Sequence, residues 1–189
     1  MIENSFIFLE GISRKLEGSI WKQGIRNWGE FINADRIKGI SRARKLYYNR
    51  RLKEAKKELY NFNSIYFIDL LPQSEMWRLY DFFREDAVFL DIEATGIYRE
   101  DDFLMIGLYD GINTKIVLKN NFNYKNLKSE LMKYRLIVSF NGSSFDAPFL
   151  NKRYPGLIPK IPHFDVKSIT RRIGLSGGLK EIEKLLGIK

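Results

Sequence analysis

Residues 87–93 read AVFLDIE. A short apolar run of this kind suits a buried strand, yet Asp91 and Glu93 stand in its second half, one residue apart. Side chains alternate along a strand, so both carboxylates project from one face of the sheet. Two like charges at that spacing repel each other and resist leaving water. The chain must therefore build a sheet around this strand and make the two acids tolerable within it. No other segment restricts the fold so tightly.

The residues that follow supply the sheet. Strand patterns recur at 103–109 (FLMIGLY) and 114–118, joined by DGIN at 110–113, a good hairpin turn, which predicts an antiparallel meander. A helical pattern over about 124–134 leads to the apolar strand RLIVSF at 135–140. Lying across a helical crossover, that strand is expected to run parallel to the first, 87–93. A second helix covers about 145–154, and the proline-rich link PGLIPKIP leads to a short strand, HFDV, and two helices near 168–173 and 179–186. Three antiparallel strands and then αβαβα is the order of a ribonuclease-H-like α/β fold with a mixed sheet, here preceded by a helical N-terminal segment.

After the strand RLIVSF comes NGSSFDAPFLNKR, with Asn141-Gly142 as a turn and Asp146 near the start of a helix. If the two apolar strands are neighbours, Asp146 approaches the face that carries Asp91 and Glu93. Three converging carboxylates are tolerable with a hard cation that prefers oxygen, Mg2+ or Mn2+. Asp91, Glu93 and Asp146 are thus the candidate metal ligands and catalytic residues. Two ions about 3.5–4 Å apart would stabilise the attacking and leaving oxygens of a phosphodiester displacement.

The charge is +9 overall but uneven: residues 1–62 carry 14 Lys and Arg against 7 Asp and Glu, a net of +7. A basic field of that kind suits a nucleic-acid surface, or else a solvated helical face. The same segment holds a weak repeat, GISR at 11–14 and again at 39–42. Two glycine turns entering basic helices resemble the helix-hairpin-helix module, in which the turn and the next helix's amides meet a phosphate. Ser13 and Ser41 replace the usual second glycine and are also ordinary helix N-caps. Ser13, Arg14, Ser41, Arg42, Arg44 and Lys45 are candidate nucleic-acid contacts, with Asn141, Lys152 and Arg153 beside the acidic cleft. The span 41–60 reads as one long basic helix packing through Leu46, Tyr47, Leu52 and Leu59, and Ser74 suggests the cap of a short helix after Pro72. Domain boundaries are expected at 1–62 (basic helical segment), 63–86 (linker and short helix) and 87–189 (nuclease-like domain).

FLDIEATG and SFNGSSFDAPFL resemble the first two motifs of the DEDD (DnaQ-like) 3′–5′ exonuclease superfamily. Together with EMWRLYDFFREDAVFLDIEATGI, IPHFDVKSITRRI and GGLKEIEKLLGI they look like its YprB-type branch. The resemblance implies a metal-dependent 3′–5′ exonuclease acting on DNA or RNA, with Asp91, Glu93 and Asp146 as ligands and Glu93 also orienting water. It also implies a fourth carboxylate in a later helix, which these residues do not supply. The alternative is therefore a non-catalytic nucleic-acid-binding module, or a site completed by a partner or a further C-terminal segment.

Other polar groups have plainer readings. Asp165 reads as a cap or turn residue and His163 as a structural hydrogen-bonding partner. Glu100, Asp101 and Asp102 read as a solvated turn. Lys152 and Arg153, with Arg171 and Arg172, read equally as solvated cations. Cysteine is absent, which excludes disulfides and thiolate metal sites. No apolar run approaches membrane-span length, and a cytoplasmic protein is expected.

Overall fold

The strand that carries the two acids, β1 (Ala87–Ala94), is the middle one of five in a computed structural model that describes residues 1–95 and 102–188. It pairs antiparallel with β2 (Phe103–Tyr109), which pairs antiparallel with β3 (Thr114–Leu118). On its other side β4 (Leu136–Ser139) runs parallel to it, and β5 (His163–Asp165) parallel to β4. The order is β3-β2-β1-β4-β5, the mixed sheet that the element order implied. Glu100 and Asp101 of the acidic loop lie outside the described residues.

Register decides which side chains share a face. Opposite partners in an antiparallel ladder point the same way, so Phe89, Asp91 and Glu93 share a face with Tyr109, Gly107 and Met105. Val88, Leu90 and Ile92 point to the other face, where they pack on Leu127 and Leu131 of α5 (Tyr124–Leu131) and Leu150 of α6 (Asp146–Arg153). This second face is closed.

The first face is covered at one end only. Ala87, Leu136 and Val138 join an apolar cluster built by the N-terminal helices α1 (Arg14–Lys22), α2 (Trp28–Asn33) and α3 (Arg42–Tyr60). Phe67, Leu71, Met76, Leu79 and Phe83, from the segment between α3 and β1, belong to the same cluster. The cover stops before Asp91 and Glu93, which remain exposed.

Two local expectations are corrected. On α3 the buried stripe is Lys45, Tyr48, Leu52, Ala55 and Leu59, while Leu46 and Tyr47 face solvent. The spacing of three and four residues is that of one helix face, and the lysine in it disguised the register. Gln73–Leu79 forms a 3-10 helix behind Pro72 with no side-chain cap, continuing into the short α4 (Tyr80–Phe83), in place of a helix capped by Ser74. Its buried pairs, Glu75 with Arg78 and Met76 with Leu79, recur every three residues, the period at which 3-10 side chains stack.

A buried ion network ties these layers together. Glu17 Oε1 accepts from Ser5 Oγ (2.9 Å), Phe6 N (2.6 Å) and Ile7 N (3.1 Å), and its Oε2 accepts from Arg78 Nη2 (3.0 Å). Arg78 Nε donates to Glu75 Oε2 (2.7 Å), and Glu75 Oε1 accepts from Arg14 and from Arg172 at the end of α7 (Val166–Arg172). Burial alone would raise the Glu75 carboxyl, but hydrogen bonds from Arg78, Arg172 and Arg14 hold it below its ordinary value. Paired in this way, the charges can remain buried. A final helix, α8 (Leu179–Leu185), buries Ile182 alone.

Candidate active site

Asp91 and Glu93 leave β1 on the open half of its face, as strand alternation requires. Gly107 stands directly opposite Asp91 on β2. Although Asp91 stays accessible to solvent, partial desolvation by the surrounding protein and the neighbouring Glu93 charge raise its carboxyl above its ordinary value.

Asp146 arrives from the other side of β1, at the first position of α6, and is almost fully buried. The turn that delivers it is tightly built. Asn141 takes a left-handed φ of 66°, which asparagine tolerates better than most residues. At Gly142 an added Cβ would lie 2.4 Å from Ser139 Oγ and 2.5 Å from Asp146 Oδ2, so no side chain fits there. Burial, and then the charge of Asp91, push Asp146 up to about 6, while hydrogen bonds to backbone amides, including that of Ile92, pull the other way. The electrostatic coupling links two acids brought together only by the tertiary fold.

Asp165 and His163 support this turn from β5. Asp165 accepts from Asn141 N (2.8 Å), Ser143 N (3.2 Å), Ser143 Oγ (2.5 Å) and Lys167 N (3.1 Å), the last as the N-cap of α7. Its capping role matches the plainer sequence reading. His163 Nε2 lies 2.6 Å from Ser139 Oγ, and burial lowers its pKa to about 4, so it is a neutral hydrogen-bonding partner near pH 7. Sequence reasoning missed Ser139, Ser143 and Lys167, whose ammonium donates to Asn141 Oδ1 (3.2 Å). Ser139 as the polar end of an otherwise apolar strand was the available signal.

The donors here are carboxylate oxygens, the ligand type that Mg2+ and Mn2+ prefer, and the repulsion between Asp91 and Asp146 is of the kind a cation relieves. Among the described residues, no group of three acid, histidine or cysteine side chains stands close enough together to hold a metal ion.

The sheet order agrees with a sequence comparison. A model of the RNase_H superfamily matches residues 88–189, more than half of the chain. The chain belongs to the RNase_H superfamily. Among solved structures it is similar to the EXO domain of Nibbler from Aedes aegypti, at 10% identity and a TM-score of 0.40. That similarity covers 53% of this chain and 52% of the other, so the chain spans about half the length of that structure. None of the curated proteins matches it.

The RNase_H superfamily match begins at Val88, so the basic helical layer lies outside it. In that layer Gly11 and Gly39 both take left-handed φ, 76° and 91°. Ser13 Oγ accepts from Leu16 N and Ser41 Oγ from Arg44 N, each capping the next helix. The repeats also pack reciprocally. A Cβ on Gly11 would meet Arg44 at 3.8 Å, and one on Gly39 would meet Leu16 at 3.2 Å. Leu16 and Arg44 are equivalent positions, 28 residues apart (44 − 16) like the glycines (39 − 11). The repeat is therefore a structural one, with pseudo-twofold contacts.

The candidate contacts separate on this framework. Arg42 and Arg44 are exposed at the start of α3, and Lys152 is exposed on α6. Arg14 is exposed but pairs with Glu75 (2.6 Å), and Arg153 pairs with Asp102 (3.2 Å). Lys45 departs from the set. It is buried over the Phe31 ring, its ammonium donating to the Ile32 carbonyl (3.2 Å), and burial lowers its pKa. Asp102 is not merely solvated: burial would raise it, but Lys119 (2.6 Å) and further partners hold it low. Among the described residues no helix is long and apolar enough to cross a membrane.

Proposed function

We propose that the protein is a divalent-metal-dependent nuclease that hydrolyses phosphodiester bonds of DNA or RNA, acting as a 3′–5′ exonuclease of the DEDD type, YprB-like branch. The observation that carries this reading is the coupling of Asp91 on β1 with Asp146 at the head of α6. A scaffold gains nothing from placing the Asp91 charge where it raises the pKa of a buried Asp146.

In this reading Asp91 and Asp146 would hold Mg2+ or Mn2+, and Glu93, exposed at the rim and not grouped with them as a third ligand in this structure, would orient the attacking water. The ion would supply Lewis-acid stabilisation of the phosphate oxygens. Ser139, Gly142 and Asp165 fix the turn so that the Asp146 carboxylate stays against β1. Arg42, Arg44 and the backbone amides at Ser13 and Ser41 bind strand phosphates, and a cavity of about 680 Å³ beside the second turn, lined by Arg36, Lys38 and Arg42 among others, fits that role. Residues 1–62 would hold the substrate and residues 87–189 would cut it. Asn141, with its side chain engaged by Lys167, shapes the cleft.

The absence of a three-ligand cluster among the described residues favours a second reading, a binding module or a site completed by a partner or further segment. Incubation of labelled single strands with Mg2+ or Mn2+ separates the two. Metal-dependent shortening from the 3′ end, lost in Asp91→Ala, supports the nuclease. Retained binding without cleavage supports the module.

A further inference from the structure

A cavity of about 650 Å³ lies in the N-terminal layer between α1 and the 3-10 helix, on residues that the carboxylate site does not use. Trp21 and Trp77, two of the three tryptophans in the chain, line it, and the third, Trp28, is buried elsewhere. The Arg78 guanidinium lies 4.9 Å from the centroid of the Trp77 ring and 6.0 Å from that of Trp21. Its bonds to Glu17 and Glu75 hold it in place, so the two indoles and the guanidinium form a fixed π-rich wall. Trp21 is fixed further by its Nε1–H bond to the Asn4 carbonyl (2.9 Å).

The mouth of the cavity is basic. Lys22 and Arg26 line it, and among the described residues no acid does. Gly18 opens it: this glycine sits inside α1, where a Cβ would meet nothing within 4 Å. Glycine in a helix interior costs stability relative to alanine, and no neighbour demands it here. The second repeat shows that the architecture does not demand it either. The positions equivalent to Gly18 and Trp21, 28 residues on, are Leu46 and Asn49, and Leu46 simply projects into solvent. The opening belongs to the first repeat alone.

We propose that this cavity binds an unpaired nucleotide of a nucleic-acid strand, its base against the indole wall and its phosphate on Lys22 and Arg26. A planar π-face beside two long cations suits a stacked base with an attached phosphate. The assignment deepens the proposed nuclease function by adding a second strand contact, but it stands without the metal.

Intrinsic tryptophan fluorescence tests it directly, since the two cavity tryptophans would report the ligand. The full chain, with Asp91→Ala and EDTA to silence the carboxylate site, is titrated with AMP and, separately, with inorganic phosphate. Saturable quenching by AMP but not by phosphate is expected, with affinity at least tenfold weaker in Gly18→Leu. Gly18→Leu should fold at least as stably as its parent, because leucine is the better helix former and the site is open; circular dichroism and a melting curve check this. No quenching at millimolar AMP, equal quenching by phosphate, or unchanged affinity in a folded Gly18→Leu would overturn the proposal. Because metal and Asp91 are excluded from the assay, failure of the nuclease reading leaves the result interpretable.

Discussion

Gly142 and Asp146 are in contact so close that a β-carbon on the glycine would lie 2.5 Å from the Asp146 carboxylate oxygen. Asp146 is therefore placed by the absence of a side chain four residues earlier. Gly142→Ala must push back Ser139 or Asp146, both nearly fully buried. Overpacking of this kind costs about 1–3 kcal/mol. A urea titration should show that loss, and any Mg2+-induced stabilisation should fall with it.

Asp91→Ala removes the charge that helps to raise Asp146. The metal-free variant should be no less stable at pH 7 than the parent, because it relieves a repulsion. The parent should gain in melting temperature with Mg2+ or Mn2+, and the variant should not. Thermal melts with and without the metal check both halves, and a metal-dependent rise in the variant would remove Asp91 from the ligand set.

The pH dependence of stability contains two opposed contributions. Asp146, raised from 3.8 to about 6 by burial and Asp91, binds a proton more readily folded than unfolded. Its contribution falls as pH rises through that window, by about 3 kcal/mol. His163, lowered from 6.5 to about 4 by burial, binds a proton more readily unfolded. Its contribution rises over nearly the same window by a similar amount of about 3 kcal/mol. In the metal-free parent these two contributions should nearly cancel between pH 4 and 6.5. Asp146→Asn should expose a stability that rises with pH, and His163→Gln one that falls, as measured by denaturant unfolding across that range.

Arg78 is the shared donor between two buried carboxylates, Glu17 and Glu75. Arg78→Met would leave the buried Glu17 without its cation, at a cost of about 3–5 kcal/mol. Glu75 keeps Arg14 and Arg172, so neutralising Glu17 alone, in the double change Glu17→Gln, Arg78→Met, should recover part of the loss. Unfolding curves for the two variants make the comparison.

Arg42 and Arg44 are exposed whereas Lys45 is spent internally on the Ile32 carbonyl. Removing each arginine should weaken nucleic-acid binding and reduce the salt dependence by about one phosphate contact. Lys45→Met should leave the salt slope unchanged. Fluorescence anisotropy with a labelled strand at several salt concentrations reads both.

Much of this arrangement was legible before any coordinates. The period-2 alternation of AVFLDIE put Asp91 and Glu93 on one face, and the spacing of turns and helices implied the five-stranded mixed sheet. Ser13, Ser41 and Asp165 read as caps, and they cap. Such features depend on backbone geometry within a few residues, which a sequence states directly.

The tertiary structure alone decided the rest. Asp146 meets Asp91 because β4 lies beside β1 and because Gly142 clears the turn, and neither fact has a local signature. Lys45 reads as one more surface cation until α2 supplies the Phe31 ring and Ile32 carbonyl that receive it. Arg78 finds Glu17 across 61 residues, a pairing invisible to any pattern of neighbours. A sequence fixes which groups a residue can satisfy; only the folded packing determines which partners remain within reach once water has been removed.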